Sequence, residues 1–169
     1  GEFDPASLPP RPEVSETRLA REGLFYVFGM LATAALFFMP VFPSFMLVDW
    51  LDADPTPVET SLPVIVQVMK YFVLAFPGTA VLIIGTMLCS AILRWTLLPR
   101  LQAGTWAIHS WVYCSRWVVN QIQESSLNIL HGIYATVYAP FWYRLLGAKV
   151  GRDAEISTAQ GLVPDLLTL

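Results

Sequence analysis

An uncharged run, Tyr71–Leu93 (YFVLAFPGTAVLIIGTMLCSAIL), constrains this chain more than any other stretch, and it is closed by Lys70 on one side and Arg94 on the other. A helix needs about 20 apolar residues, at ~1.5 Å rise each, to cross a hydrocarbon core about 30 Å thick. The run is long enough. A membrane protein is the first expectation.

A second uncharged run follows Gly23 and ends at Val48 (LFYVFGMLATAALFFMPVFPSFMLV). It too is long enough to cross once. Pro40 and Pro43 lack backbone donors and are predicted to kink or end the helix near its far side. Trp50, just beyond, suits an interface anchor. A buried helix of a soluble bundle is the competing reading, and an apolar surface on all sides argues against it. Composition agrees: 55% of the 169 residues are hydrophobic and 14% charged, where a soluble domain carries nearer a quarter charged.

Between the runs, Asp49–Leu62 holds four acidic residues and no Lys or Arg. Arg11, Arg18 and Arg21 precede the first run, while Arg94, Arg100 and Arg116 follow the second. Lys and Arg set orientation, so both termini are expected in the cytoplasm and the loop outside. Asp49, Asp52 and Asp54 alternate, but the loop lacks the glycine and the twelfth-position glutamate of an EF-hand.

The remaining features are quieter. Residues 1–15 are proline-rich and polar, and read as a linker. The chain opens on Gly1, which suggests a piece of a longer polypeptide. Ser15 is the expected N-cap of the first helix. Pro77-Gly78 is predicted to kink the second span, and Lys70 to snorkel to the outer interface. Gly78, Gly85, Cys89 and Ser90 offer small side chains for close approach of the first span. Neither Cys89 nor Cys114 has a metal-binding or disulfide neighbourhood. A net charge of −3 leaves no basic patch for nucleic acid. Two spans without a centrally buried charge offer a transporter no pathway.

Beyond Pro99 the character changes. Residues 100–146 mix Trp106, Trp111, Tyr113, Trp117, Tyr138 and Trp142 with polar side chains, a composition suited to the headgroup boundary. One or two amphipathic helices lying on the cytoplasmic surface are expected there. A third span over Ser125–Tyr143 is the alternative, disfavoured by its Asn, His and Ser residues. Asn120, Glu124, Asn128 and His131 fall near one helical face. Glu124 and His131 are therefore the candidate acid–base pair, weighed against a plain wet face. No nucleophile motif, phosphate loop or metal-ligand spacing is present.

From Leu146 the sequence reads LGAKVGRDAEIS, and Val150 and Ile156 stand six residues apart. Six-residue periodicity builds a parallel β-helix, so 147–169 is expected to begin a left-handed β-helix of the hexapeptide type. The fold expectation is then mainly α: a linker over 1–15, a two-helix transmembrane hairpin over 16–99 (spans about 23–48 and 64–98), an interfacial region over 100–146, and that truncated β-helix start.

Ile108–Trp111, Tyr134–Thr136, Pro140–Arg152 and Glu155–Ala159 together resemble the C-terminal membrane region of ε-poly-lysine-synthetase-like (Pls/PosA-type) non-ribosomal peptide synthetases. The resemblance covers roughly 24–169 and is most specific from Ile108 onward. It implies a parent with adenylation and carrier domains, then membrane helices alternating with tandem acyltransferase-like domains that join amino acids into isopeptide-linked polymers. ATP, magnesium and phosphopantetheine would be the parent's cofactors, and its other domains and helices the partners, alongside the lipid bilayer and, if it self-associates, a homo-oligomer. This chain would be a non-catalytic anchor and lead-in in the inner membrane. A membrane anchor for a hexapeptide-type acyltransferase, or a small membrane scaffold, remains the alternative. No catalytic, cofactor or metal residue is carried over.

Overall fold

The computed structural model describes residues 13–52, 63–98, 100–104, 106–133, 136–156 and 161–169. Most of the proline-rich linker (1–12) and most of the acidic loop (53–62) lie outside them. The described chain is mainly helical: α1 Glu16–Phe38, α2 Val41–Leu51, α3 Val64–Leu97, α4 Trp111–Ile129 and α5 Ala139–Leu145, with 3-10 turns at Leu130–Ile133 and Pro164–Leu166.

The first apolar run becomes two helices. Pro40 supplies no N–H, so α1 stops at Phe38 and α2 resumes at Val41, with Pro43 in its first turn, where a missing donor costs nothing. The bonds Met39 N–Ala35 O (2.9 Å) and Ser44 N–Pro40 O (3.4 Å) bridge the break. Together, α1 and α2 form a 36-residue stretch apolar enough to cross a membrane, and the 34-residue α3 is a second. Helix α3 stays helical through Pro77.

The α2 and α3 arms run antiparallel, and their contact is built on absent side chains. A Cβ on Gly78 would lie 2.8 Å from Val48 Cγ2, and one on Gly85 3.0 Å from Pro40 Cβ. Ser44 Oγ donates to Gly78 O at 2.6 Å. At the loop end, Lys70 pairs with Asp52, and Tyr71 Oη donates to the same carboxylate at 3.0 Å. Lys70 therefore reaches across the hairpin to an anion.

Helix α4 packs against both α1 and α3. Ser110 caps it, accepting from Tyr113 N at 3.2 Å. Its buried stripe of Cys114, Ser115, Val118, Ile122 and Ser126 lies along α1. Contacts ascend in step on both helices: Glu22 with His109, Phe25 with Trp111, Tyr26 with Cys114, Gly29 with Val118, and Leu36 in one cluster with Ile122. Thus α4 runs parallel to α1. The cause is steric. Gly29 and the small residues of α4 let the two backbones approach along their length, as small residues do between membrane helices.

After α4, Trp142 and Tyr143 of α5 bury against Met87, Ala91 and Leu130. Trp142 Nε1 donates to Ser90 Oγ at 3.2 Å, so Ser90 serves this contact. Over 147–169 the described residues contain no strand, only a parallel bridge between Lys149 and Thr168.

Two outcomes check this fold. A Cβ at Gly29 would sit 2.5 Å from Val118 Cγ2, and a valine cannot swing aside. Gly29→Leu should therefore cost about 1–3 kcal/mol by overpacking, partly restored by Val118→Ala, in detergent-solubilised thermal unfolding. At the hairpin end, hydrogen bonds from Lys70 and then Tyr71 hold Asp52 below its ordinary 3.8. That stabilisation is present above the ordinary value and lost as pH falls through the lower folded one. The stability gap between the protein and Asp52→Asn should narrow as pH is taken below about 4, whereas a gap independent of pH would exclude the pairing.

Candidate functional site

Charged side chains inside a helical protein are costly unless paired, so the buried ones locate where the structure is tied together. Arg94, near the C-terminal end of α3, is 2% exposed. Its guanidinium pairs with Asp165, in the 3-10 turn Pro164–Leu166, and both side chains are buried. Asp165 Oδ2 also accepts from Leu101 N at 2.9 Å.

The neighbouring residues close this junction. The Arg94 guanidinium lies 4.0 Å from the centroid of the Trp95 ring, a cation–π contact. Trp95 Nε1 donates to Leu145 O at 2.9 Å. Gly147 adopts φ +104° where the chain turns out of α5, and a Cβ there would meet Asp165 Oδ1 at 3.1 Å and the Trp95 ring at 3.2 Å. Only glycine fits both demands. From α4, Gln123 Nε2 donates to Leu162 O at 3.0 Å. Burial pushes the Arg116 guanidinium below its usual range, with the Asp165 charge acting the other way. One acidic residue thus gathers α3, the loop after it and the turn after α5.

Beside the junction, an open cavity of about 860 Å³ is lined by Thr136, Pro140, Arg144 and 151–155. Arg144 Nε donates to Val150 O at 2.9 Å and its Nη2 to Gly151 O, which holds the chain leaving α5. Asp153 turns there with φ 61°, a conformation Asp tolerates. Chemically the junction positions segments: its ion pair is sealed, and its remaining groups are backbone holders.

The two sequence-predicted residues lie on successive elements, Glu124 in α4 and His131 in the 3-10 turn that follows it. Glu124 accepts from Asn120 Nδ2 at 2.8 Å. His131 lies past the end of α4 in the 3-10 turn and is exposed. Cys89 and Cys114 are both free thiols, and no group able to hold a metal ion occurs among the described residues. Sequence reasoning missed the Arg94–Asp165 pair. Arg94 reads as an ordinary flanking charge, and the only signal is Asp165 standing alone in an apolar tail, LVPDLLTL.

Removing one partner of this pair leaves the other buried and uncompensated. Arg94→Ala should destabilise the chain by about 3–5 kcal/mol, and Arg94→Met with Asp165→Leu by distinctly less. Thermal unfolding of the three proteins measures it. Equal losses for the single and double variants would show that the pair carries no coupling.

Neither a family model nor a solved structure matches the chain. Over 164 residues, 97% of the chain, it is 46% identical to the Delta-poly-L-ornithine synthetase of Acinetobacter baumannii (strain AB307-0294). The aligned region spans 12% of that relative's length. The chain is similar to one part of a poly-amino-acid synthetase, and it carries two helices long and apolar enough to cross a membrane.

Proposed function

We propose that this chain is the membrane-embedded lead-in of a poly-amino-acid synthetase, anchoring the enzyme and delivering its polypeptide to a following domain. The similarity to Delta-poly-L-ornithine synthetase carries the reading, because it takes in 97% of the chain and with it both apolar helices. On this reading the parent polymerises amino acids through isopeptide-type bonds, and this portion is catalytically silent. ATP, magnesium and phosphopantetheine would act elsewhere in the parent, since no phosphate loop or carrier-serine motif occurs in this sequence.

The domain that follows would be a left-handed β-helix. Lys149 N bonds Leu167 O at 3.0 Å and Gly151 N bonds Leu169 O at 2.9 Å, in parallel and eighteen residues apart in both cases. Three six-residue faces make one coil of roughly that length, and Ile156 is buried between the paired segments. A hexapeptide-type acyltransferase would share this feature. The match to a synthetase across the preceding helices favours the first reading.

Orientation follows the arginines, with both ends cytoplasmic and the acidic loop outside the inner membrane. Impermeant thiol reagents should label Thr56→Cys in intact cells, and Thr17→Cys only after permeabilisation, in a background lacking Cys89 and Cys114. The reverse pattern would overturn the topology. Amino-acid adenylation or peptide-bond formation by the isolated chain would overturn its silence.

A further inference from the structure

A second cluster of charge lies at the other end of the α1–α4 contact, apart from the junction. A cavity of about 330 Å³ opens there between the first turns of α1 and the start of α4, lined by Arg18, Arg21, Glu22, Phe25, His109 and Trp111, with Cys114 at its base. Its walls are tied from both sides. His109 Nδ1 lies 2.9 Å from Glu22 Oε2, and Arg18 Nε 3.5 Å from Glu22 Oε1. Arg18 Nη2 also donates to His109 O. The Phe25 and Trp111 rings meet at 4.6 Å.

The charge balance selects a ligand. Glu22 is matched by Arg18 within the wall. Arg21 is exposed and has no ion-pair or hydrogen-bond partner among the described residues, which leaves its cationic charge over. A single negative charge fits this surplus. A phosphate dianion would meet repulsion from the Glu22 carboxylate with too little cation to offset it.

Depth selects the source. Directly above Glu22 begins the uncharged run, with Leu24, Val27 and Phe28 exposed on its surface. At the far end stands Trp50, 72% exposed, and at the near end Trp111, 63% exposed. The stretch from Glu22 to Trp50 is about 42 Å of helix at ~1.5 Å per residue, comparable to a bilayer with its headgroup regions, about 40–45 Å. The cavity therefore sits at the headgroup layer, with aromatic rings where the acyl chains begin.

We propose that this cavity binds the monoanionic phosphodiester of an acidic phospholipid of the inner leaflet. Arg21 donates to the phosphate oxygens, Arg18 and His109 complete the polar wall, and Phe25 with Trp111 contacts the upper acyl chain. The Glu22 carboxylate holds Arg18 and His109 in place and rejects a second negative charge. The inference rests on α1 crossing a membrane.

The test is native mass spectrometry of the full chain released from nanodiscs holding equal amounts of phosphatidylglycerol and phosphatidylcholine with the same acyl chains. Phosphatidylglycerol should be retained preferentially, and Arg21→Gln should reduce that preference about tenfold, as expected for loss of one charge-assisted contact. Because Arg21 holds no partner, the variant should keep the parent's thermal midpoint. Millimolar inorganic phosphate should not displace the bound lipid. Equal retention of the two lipids, or an unchanged preference in Arg21→Gln, would overturn the proposal, and displacement by inorganic phosphate would reassign the cavity to a soluble anion. Failure of the membrane reading shows itself separately, as a chain that leaves the membrane fraction under alkaline carbonate.

Discussion

The buried contact between Arg94 and Asp165 is what the inner half of this structure depends on. Arg94 ends an apolar helix that would otherwise deliver the chain to water, and it is instead sealed by a carboxylate from some seventy residues downstream. Burying two charges is worth little to stability by itself, because desolvation nearly cancels attraction. What such a pair supplies is position. Asp165 can meet Arg94 only if α5 has turned at Gly147, if Trp95 has closed over Leu145 and if the loop after α3 presents Leu101 N. Few alternative arrangements satisfy all three.

This explains an asymmetry along the hairpin. The outer half, α2 with the first turns of α3, has only its other arm for company, and Phe42, Phe45, Met46, Phe72 and Phe76 remain exposed. Lipid is the environment in which such a surface is at rest. The other half of α3 is covered by α4, α5 and the tail, where Met87 and Ala91 are buried with Leu130, Trp142 and Ile156.

Much of the hairpin was readable beforehand, for a physical reason. Backbone groups in hydrocarbon must bond within their own segment, so length and freedom from charge almost decide the secondary structure of Tyr71–Leu93. Pro40 could be read as a break because its missing N–H is a local property. Gly78 and Gly85 were likewise expected at a close contact, and both face the opposite arm. The candidate polar face was less legible. Periodicity placed Glu124 and His131 near one face, and the structure puts them on successive elements, with the α-helix giving way to a 3-10 turn at Leu130. Whether 147–169 begins a β-helix was hinted at by two aliphatic positions. Among the described residues there, the structure has one parallel bridge and no strand.

By itself, the sequence determined the two long apolar helical stretches, their proline break and the small residues at their contact, because each follows from local backbone chemistry and from long runs free of charge. Only the tertiary structure decided that α4 stands alongside α1, that Arg94 finds Asp165, and that Arg18, Glu22 and His109 close one cavity. Those pairings join residues roughly seventy to ninety positions apart, and periodicity or charge pattern within any one helix carries no information about which distant surface will cover it.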